Sequence, residues 1–172
     1  MANTSIDSHF NKKQAWMASH VKDAEYPTQE SLLGYQQYAD KETTPVPTGI
    51  SNKTLTNNLS FHLVDCHPLM VRYAVTQSQS YSEENRPNIL EFFAQLSQSD
   101  KTQADDIEIT LYIATEDGKP VASGMLFCSI ESNEWHCGIY DVTGASTDYT
   151  DSMFAHIYQQ IRADSIILTS QQ

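Results

Sequence analysis

The chain has 172 residues, enough to bury a substantial core in one domain but short for two. Lys and Arg number 10 against 22 Asp and Glu, a formal charge of −12, so the field around it repels phosphate backbones and anionic lipid and argues against nucleic acid as a partner. No window approaches the roughly 20 apolar residues that cross a bilayer, and the start, MANTSIDSHFNKKQAW, has no apolar signal core; the expectation is a cytoplasmic protein without membrane contact.

Residues 1–59 are polar, with one amphipathic stretch around Trp16, Met17 and Val21. A second helix is predicted over Gln29 to Ala39, docking through Leu32, Leu33, Tyr35 and Tyr38. The breaker-rich tract Thr43 to Gly49 is extended or turned, because proline fixes φ and removes a donor. These residues read as an N-terminal helical and extended arm packed on a domain that spans 60–172; a detached linker is the alternative.

From Leu59 the pattern tightens. Phe61 to Cys66 reads as a short strand, and Pro68 suits the first turn of a helix carrying Leu69, Met70, Tyr73 and Ala74 at helical spacing. Another helix starts at Pro87, with Ile89, Phe92, Phe93 and Leu96 on one stripe. Ile107, Ile109, Leu111 and Ile113 then alternate with Glu108, Thr110 and Tyr112, the period of a half-buried strand. Asp117-Gly118 supplies the positive φ of a tight hairpin into the nearly continuous apolar run Val121 to Cys128.

A third strand, Glu134 to Val142, follows the turn at Glu131 to Asn133. Thr147 or Thr150 can cap the next helix, whose Met153, Ile157 and Ile161 recur every four residues. Ser165 to Ser170 reads as a last strand lying parallel to the one before the helix, since a helix is the usual crossover between parallel neighbours. The fold class is therefore α/β (α+β), a mixed and mostly antiparallel central sheet with flanking helices.

Cys66, Cys128 and Cys137 are three in number without C-x-x-C spacing, and two sit in apolar strands, so buried free thiols are expected rather than a disulfide or zinc site. His62 and His67 flank Asp65 and Cys66, but the spacing matches no standard zinc pattern; no metal is assigned. His156 falls opposite the apolar stripe of its helix and reads as solvated. Hydrolase elbows, P-loops and dinucleotide fingerprints have no counterpart in the sequence.

From Ser60 the order strand, helix, helix, three meandering strands, helix, strand resembles the GNAT superfamily of N-acetyltransferases. Leu111 to Gly124 looks like that family's hairpin between its second and third strands, Gly138 to Thr143 like its fourth strand, and Ile167 to Ser170 like its fifth. The resemblance implies transfer of an acetyl group from acetyl-CoA to a small-molecule or peptide amine. It places the pantetheine arm on the backbone from Tyr140 to Thr143, Val142 included. The phosphates would meet the segment Thr147 to Met153, with Thr147, Asp148, Tyr149, Thr150, Asp151 and Ser152 as the contacting residues.

Amine acetylation needs a base, and Glu134, His136 and Asp141 lie on or beside the fourth strand. Strict alternation puts Glu134, His136, Gly138 and Tyr140 on one face and Asp141 on the other, so either Glu134 and His136 act together or Asp141 acts alone. Two departures from the family leave a second expectation open. The phosphate segment has no glycine and carries Asp148 and Asp151, and the family's last helix and strands have no counterpart, which leaves a sheet edge to be covered by residues 1–59 or by a second copy in a homodimer. The alternative is a catalytically inactive binding or dimerisation module, a pseudoenzyme.

Overall fold

Two turns set the frame of the sheet. Asp117 and Gly118 take φ of 51° and 78°, as a type I′ turn requires, and Ser132 and Asn133 do the same with 51° and 68°. They join β3 (Ile107–Glu116), β4 (Lys119–Glu131) and β5 (Glu134–Gly144) into an antiparallel meander. The structure, a computed structural model, describes residues 2–49, 51–56, 58–96 and 105–170.

Around the meander lie α1 (Ala2–Lys22), α2 (Gln29–Lys41), β1 (Val46–Pro47), β2 (Ser60–Leu63), α3 (His67–Ser78), α4 (Arg86–Ala94), α5 (Thr147–Gln160) and β6 (Ile166–Thr169). The six strands form one open, mostly antiparallel sheet in the order β1-β6-β5-β4-β3-β2. Its single parallel pair is β5 with β6, with α5 as the crossover between them. β2 pairs antiparallel with β3 on one side, and β1 pairs antiparallel with β6 on the other.

The sheet is covered on both faces. Trp16, Met17 and Val21 of α1, Tyr38 of α2, Tyr73 of α3 and Phe92 and Phe93 of α4 pack with Ile109, Leu111, Ile113, Met125, Phe127 and Tyr140. On the opposite face Met153 and Ile157 of α5 meet Tyr112, Ala114, Leu126, Cys128, Cys137 and Ile139. The predicted half-buried strand is therefore buried on both sides from Leu111 to Thr115, because α5 lies over the residues that alternation assigned to solvent.

Several expectations need correction. α2 docks through Ser31, Gly34 and Tyr38, with Tyr35 packed beside them, while Leu32 and Leu33 are 45% and 41% exposed. At Gly34 the approach to α4 is too close for any side chain, since a Cβ there would stand 2.1 Å from the Asn88 carbonyl oxygen. Ser146, not Thr147 or Thr150, caps α5 by accepting from the Tyr149 amide. The strand expected to reach Cys66 stops at Leu63, and Cys66 becomes the residue before α3.

The thiols also differ from expectation. Cys66 is free but exposed, whereas Cys128 and Cys137 are bonded to each other. They are register partners across β4 and β5 with Cα atoms 4.1 Å apart, a pairing invisible to linear spacing. His156, expected to be solvated, is half-buried, stacked on Phe61 at 4.0 Å between ring centres and edge-on to Tyr112 at 5.2 Å. Burial holds its pKa below the usual imidazole value. Among the described residues no helix is long and apolar enough to cross a membrane.

Candidate functional site

The ladder between β4 and β5 is regular from Glu134 to Tyr140 and then slips: Tyr140 faces Met125, but Thr143 faces Ser123. Asp141 carries the irregularity with φ of 56°, a left-handed conformation that Asp tolerates better than most residues. The bulge is held by two side chains. Gln77 Nε2 donates to the Asp141 carbonyl at 2.6 Å, and the same amide reaches Ser123 Oγ at 2.8 Å. The Tyr38 hydroxyl donates to Asp141 Oδ2 at 2.8 Å.

The bulge also overturns the alternation argument. Tyr140 and Asp141 are neighbours on β5, yet the Asp141 carboxylate meets Tyr38, which packs in the same cluster as Tyr140. An extra residue in the strand reverses the sense of every side chain beyond it, which strict period-two reading cannot anticipate.

β6 pairs with β5 from His136 to Ile139, and among the described residues β5 runs on to Gly144 without a strand partner on that side. A cavity of about 420 Å³ opens where the two part. Ile139, Val142 and Phe154 give it an apolar wall, Thr48, Thr150 and Thr169 supply hydroxyls, and Lys53 is its one basic side chain among the described lining residues. A second cavity of about 380 Å³ lies between the end of α2, the end of α3 and the bulge, lined by Lys41, Glu42, Gln77, Tyr81, Asp141 and Thr143, among others. Asp141, Val142 and Ser170 border both cavities.

Behind the second cavity runs a buried polar chain. Lys13 of α1 is fully buried and pairs with Glu42, the residue that follows α2. The Lys13 ammonium stands 4.7 Å from the Tyr38 ring centre and 4.6 Å from that of Tyr140. Burial, with Asp141 adding to it and Lys13 opposing, raises the Glu42 carboxyl to about 7. Tyr73, also fully buried, has a hydroxyl without a hydrogen-bond partner among the described residues, one helical turn before Gln77. Burial and then the Asp141 and Glu42 charges raise its pKa.

The first two turns of α5 are contacted from within the chain. Lys53 pairs with Asp151 at 2.7 Å, the Thr56 amide donates to Ser152 Oγ at 2.8 Å, and Thr56 Oγ1 donates to the Asp148 carbonyl at 3.5 Å. Tyr149 turns its hydroxyl to Glu116, and Thr150 Oγ1 donates to the Ser146 carbonyl at 3.0 Å. Thr147 and Asp148 are exposed at the helix start.

Of the residues singled out in the sequence, Asp141, Val142, Thr143 and Thr150 border the cavities, and Tyr140 lies just beneath them. Glu134 does not join them. It is exposed at the far end of β5, seven residues from Asp141, roughly 23 Å along an extended strand. His136 is buried, with Nδ1 3.2 Å from the Glu134 carbonyl oxygen and its ring centre 6.5 Å from that of His9. His62 lies on β2, with Nε2 3.1 Å from Thr115 Oγ1.

Lys13, Tyr38, Glu42, Lys53, Tyr73 and Tyr81 were not singled out for chemistry. One signal was present: Ile6, His9, Lys13, Trp16, Met17 and Val21 share a helical face, and two of those six are polar and fully buried. No family model matches the chain, and no curated protein matches it.

Proposed function

We propose that this protein transfers an acyl group from an acyl-coenzyme A thioester to a primary amine, as its resemblance to the GNAT superfamily implies. The observation that carries the reading is the meeting of two cavities at a bulged strand. The first, between the parting strands β5 and β6, suits an acyl-bearing pantetheine arm, with apolar walls and hydroxyl groups. The second carries the Glu42 and Asp141 carboxylates beside the Tyr81 ring and suits a protonated amine. Their common border at Asp141 and Val142 is where the amine nitrogen and the acyl carbon would meet.

Acetyl-CoA would supply the activated carbonyl: the C–N bond forms, the C–S bond breaks, and the proton lost by the amine replaces the acyl group on sulfur. The chain's own part is positional and electrostatic. Gln77 and Tyr38 fix the bulge, Asp141 holds charge next to the incoming ammonium, and Lys53 would meet the phosphates at the mouth. Isothermal titration with acetyl-CoA tests the reading. Saturable heat is expected; heat indistinguishable from dilution at millimolar ligand removes the cofactor and the activity with it.

A second reading is supported by the segment packed beside the start of α5. Lys53 and Thr56 hold residues 51–56 against Asp151 and Ser152, where phosphates would sit, and Asp148 adds a charge of the wrong sign. In that reading the protein is a non-catalytic binding module of the same fold, and turnover of any amine overturns it.

A further inference from the structure

The buried pair of Lys13 and Glu42 ties α1 to the end of α2, but a tie between helices does not require charge. Taking an ammonium and a carboxylate out of water is costly, and well-packed apolar residues of similar volume often fill such a space at least as well. The Glu42 side chain keeps 11% of its surface exposed while Lys13 keeps none, so the carboxylate reaches the second cavity and the ammonium stays behind it. Tyr38 donates to Asp141, the other carboxylate of that cavity, and its hydroxyl also draws the Glu42 pKa down, so one phenol links the two carboxylates.

We propose that Glu42 is the base that takes the proton from the acceptor ammonium, and that Lys13 is the positioning residue that fixes its carboxylate and tunes its basicity. The inference rests on the acyl-transfer reading and assigns the base to the N-terminal segment rather than to β5. The ammonium gives one proton to Glu42, and the freed lone pair attacks the acyl carbon. The C–S electron pair leaves on sulfur, which takes the second proton from the same nitrogen, and Glu42 returns its proton to solvent.

A carboxyl poised near neutrality suits this task, and Glu42 is raised to about 7 by burial first and Asp141 second. The groups facing it are Lys13 from α1, Tyr38 and Lys41 from α2, Tyr73 from α3, Tyr81 after α3, and Tyr140 and Asp141 from β5. Among them Lys13 pulls the Glu42 pKa down, so removing Lys13 raises it further.

The test measures kcat and kcat/KM for an alkylamine against pH for the full chain, Glu42→Gln, Glu42→Asp and Lys13→Met, with acetyl-CoA affinity measured alongside. In Glu42→Gln, kcat should fall on the order of 100-fold and the acid limb near neutrality should vanish, with acetyl-CoA affinity held within about twofold. Glu42→Asp should recover part of the limb, and a folded Lys13→Met should move it to higher pH. Turnover in Glu42→Gln within about twofold of the parent, with an unchanged limb, overturns the inference while leaving acyl transfer standing. If Lys13→Met fails to fold, the two Glu42 variants decide. A parent protein that binds no acetyl-CoA defeats the underlying reading instead.

Discussion

The two halves of β5 are built to different rules. From Glu134 to Ile139 the strand is paired with β4 throughout, joined by β6 from His136 onward, and cross-linked through Cys137 to Cys128. From Tyr140 to Gly144 it is bulged, has β4 as its one strand partner among the described residues, and borders both cavities. One continuous strand thus supplies a rigid foundation and, immediately beyond it, a bulge pinned by Gln77 and Tyr38 at the border of both cavities. The junction is covered by His9, whose ring lies 5.9 Å from that of Tyr140 and whose nitrogens stand 2.8 Å from Ser129 Oγ and 2.8 Å from the Tyr140 hydroxyl.

Breaking the junction should have the largest effect. Burial, then the neighbouring His136, lowers the His9 pKa from 6.5 to about 4. The folded state thus refuses a proton that the unfolded chain accepts, and stability is complete above pH 6.5 and lost as pH falls towards 4. The loss amounts to about 3 kcal/mol. Glu42 acts in the opposite sense, because its raised carboxyl disfavours the fold as pH climbs from 4.5 towards 7. Denaturant melts of the parent and of His9→Gln across pH 4 to 8 separate the two: the variant should lose the acid dependence attributed to His9.

Next comes the foundation. Reduction, or Cys128→Ser with Cys137→Ser, should lower stability by about 2–3 kcal/mol on chain-entropy grounds. Thermal melts with and without reductant measure this, and turnover well below the melting temperature should change little. The comparison sharpens in the third test. Asp141→Asn keeps the left-handed backbone and an acceptor for Tyr38 but removes the charge, so on the proposed acyl-transfer reading KM for an amine should rise on the order of tenfold. Glu134→Gln, at the other end of the same strand, should leave KM and kcat as they were. Smallest is Ser146→Ala, which removes the α5 cap and should cost about 1 kcal/mol in a melt.

Much of the fold was legible because its signals are local. Asp117-Gly118 fixes the first hairpin, the apolar runs of β4 and β5 mark strands between helix faces, and the helix between β5 and β6 dictates their parallel pairing. The site was less legible because its parts depend on contacts distant in sequence. Asp141 was found, but its orientation was not, since nothing in one strand announces a bulge formed against another. Lys13, on a helix, and Glu42, just past the end of one, escaped notice because charged residues at such positions are ordinarily read as solvated. Lys13 is buried because residues distant in sequence, Tyr38, Glu42 and Tyr140 among them, close around it. The bond between Cys128 and Cys137 depends on strand register, which thiol spacing alone does not express.

The position of Lys13 bears on how the polypeptide can be shortened. A fragment beginning at Ser60 would keep five of the six strands, yet it would lose the ammonium beneath the second cavity, the carboxylate beside it and the cover over Phe92, Phe93 and Tyr140. Such a fragment would expose aromatic surface and present a half-built pocket, so engineering by truncation should spare the first helix even where its composition looks dispensable.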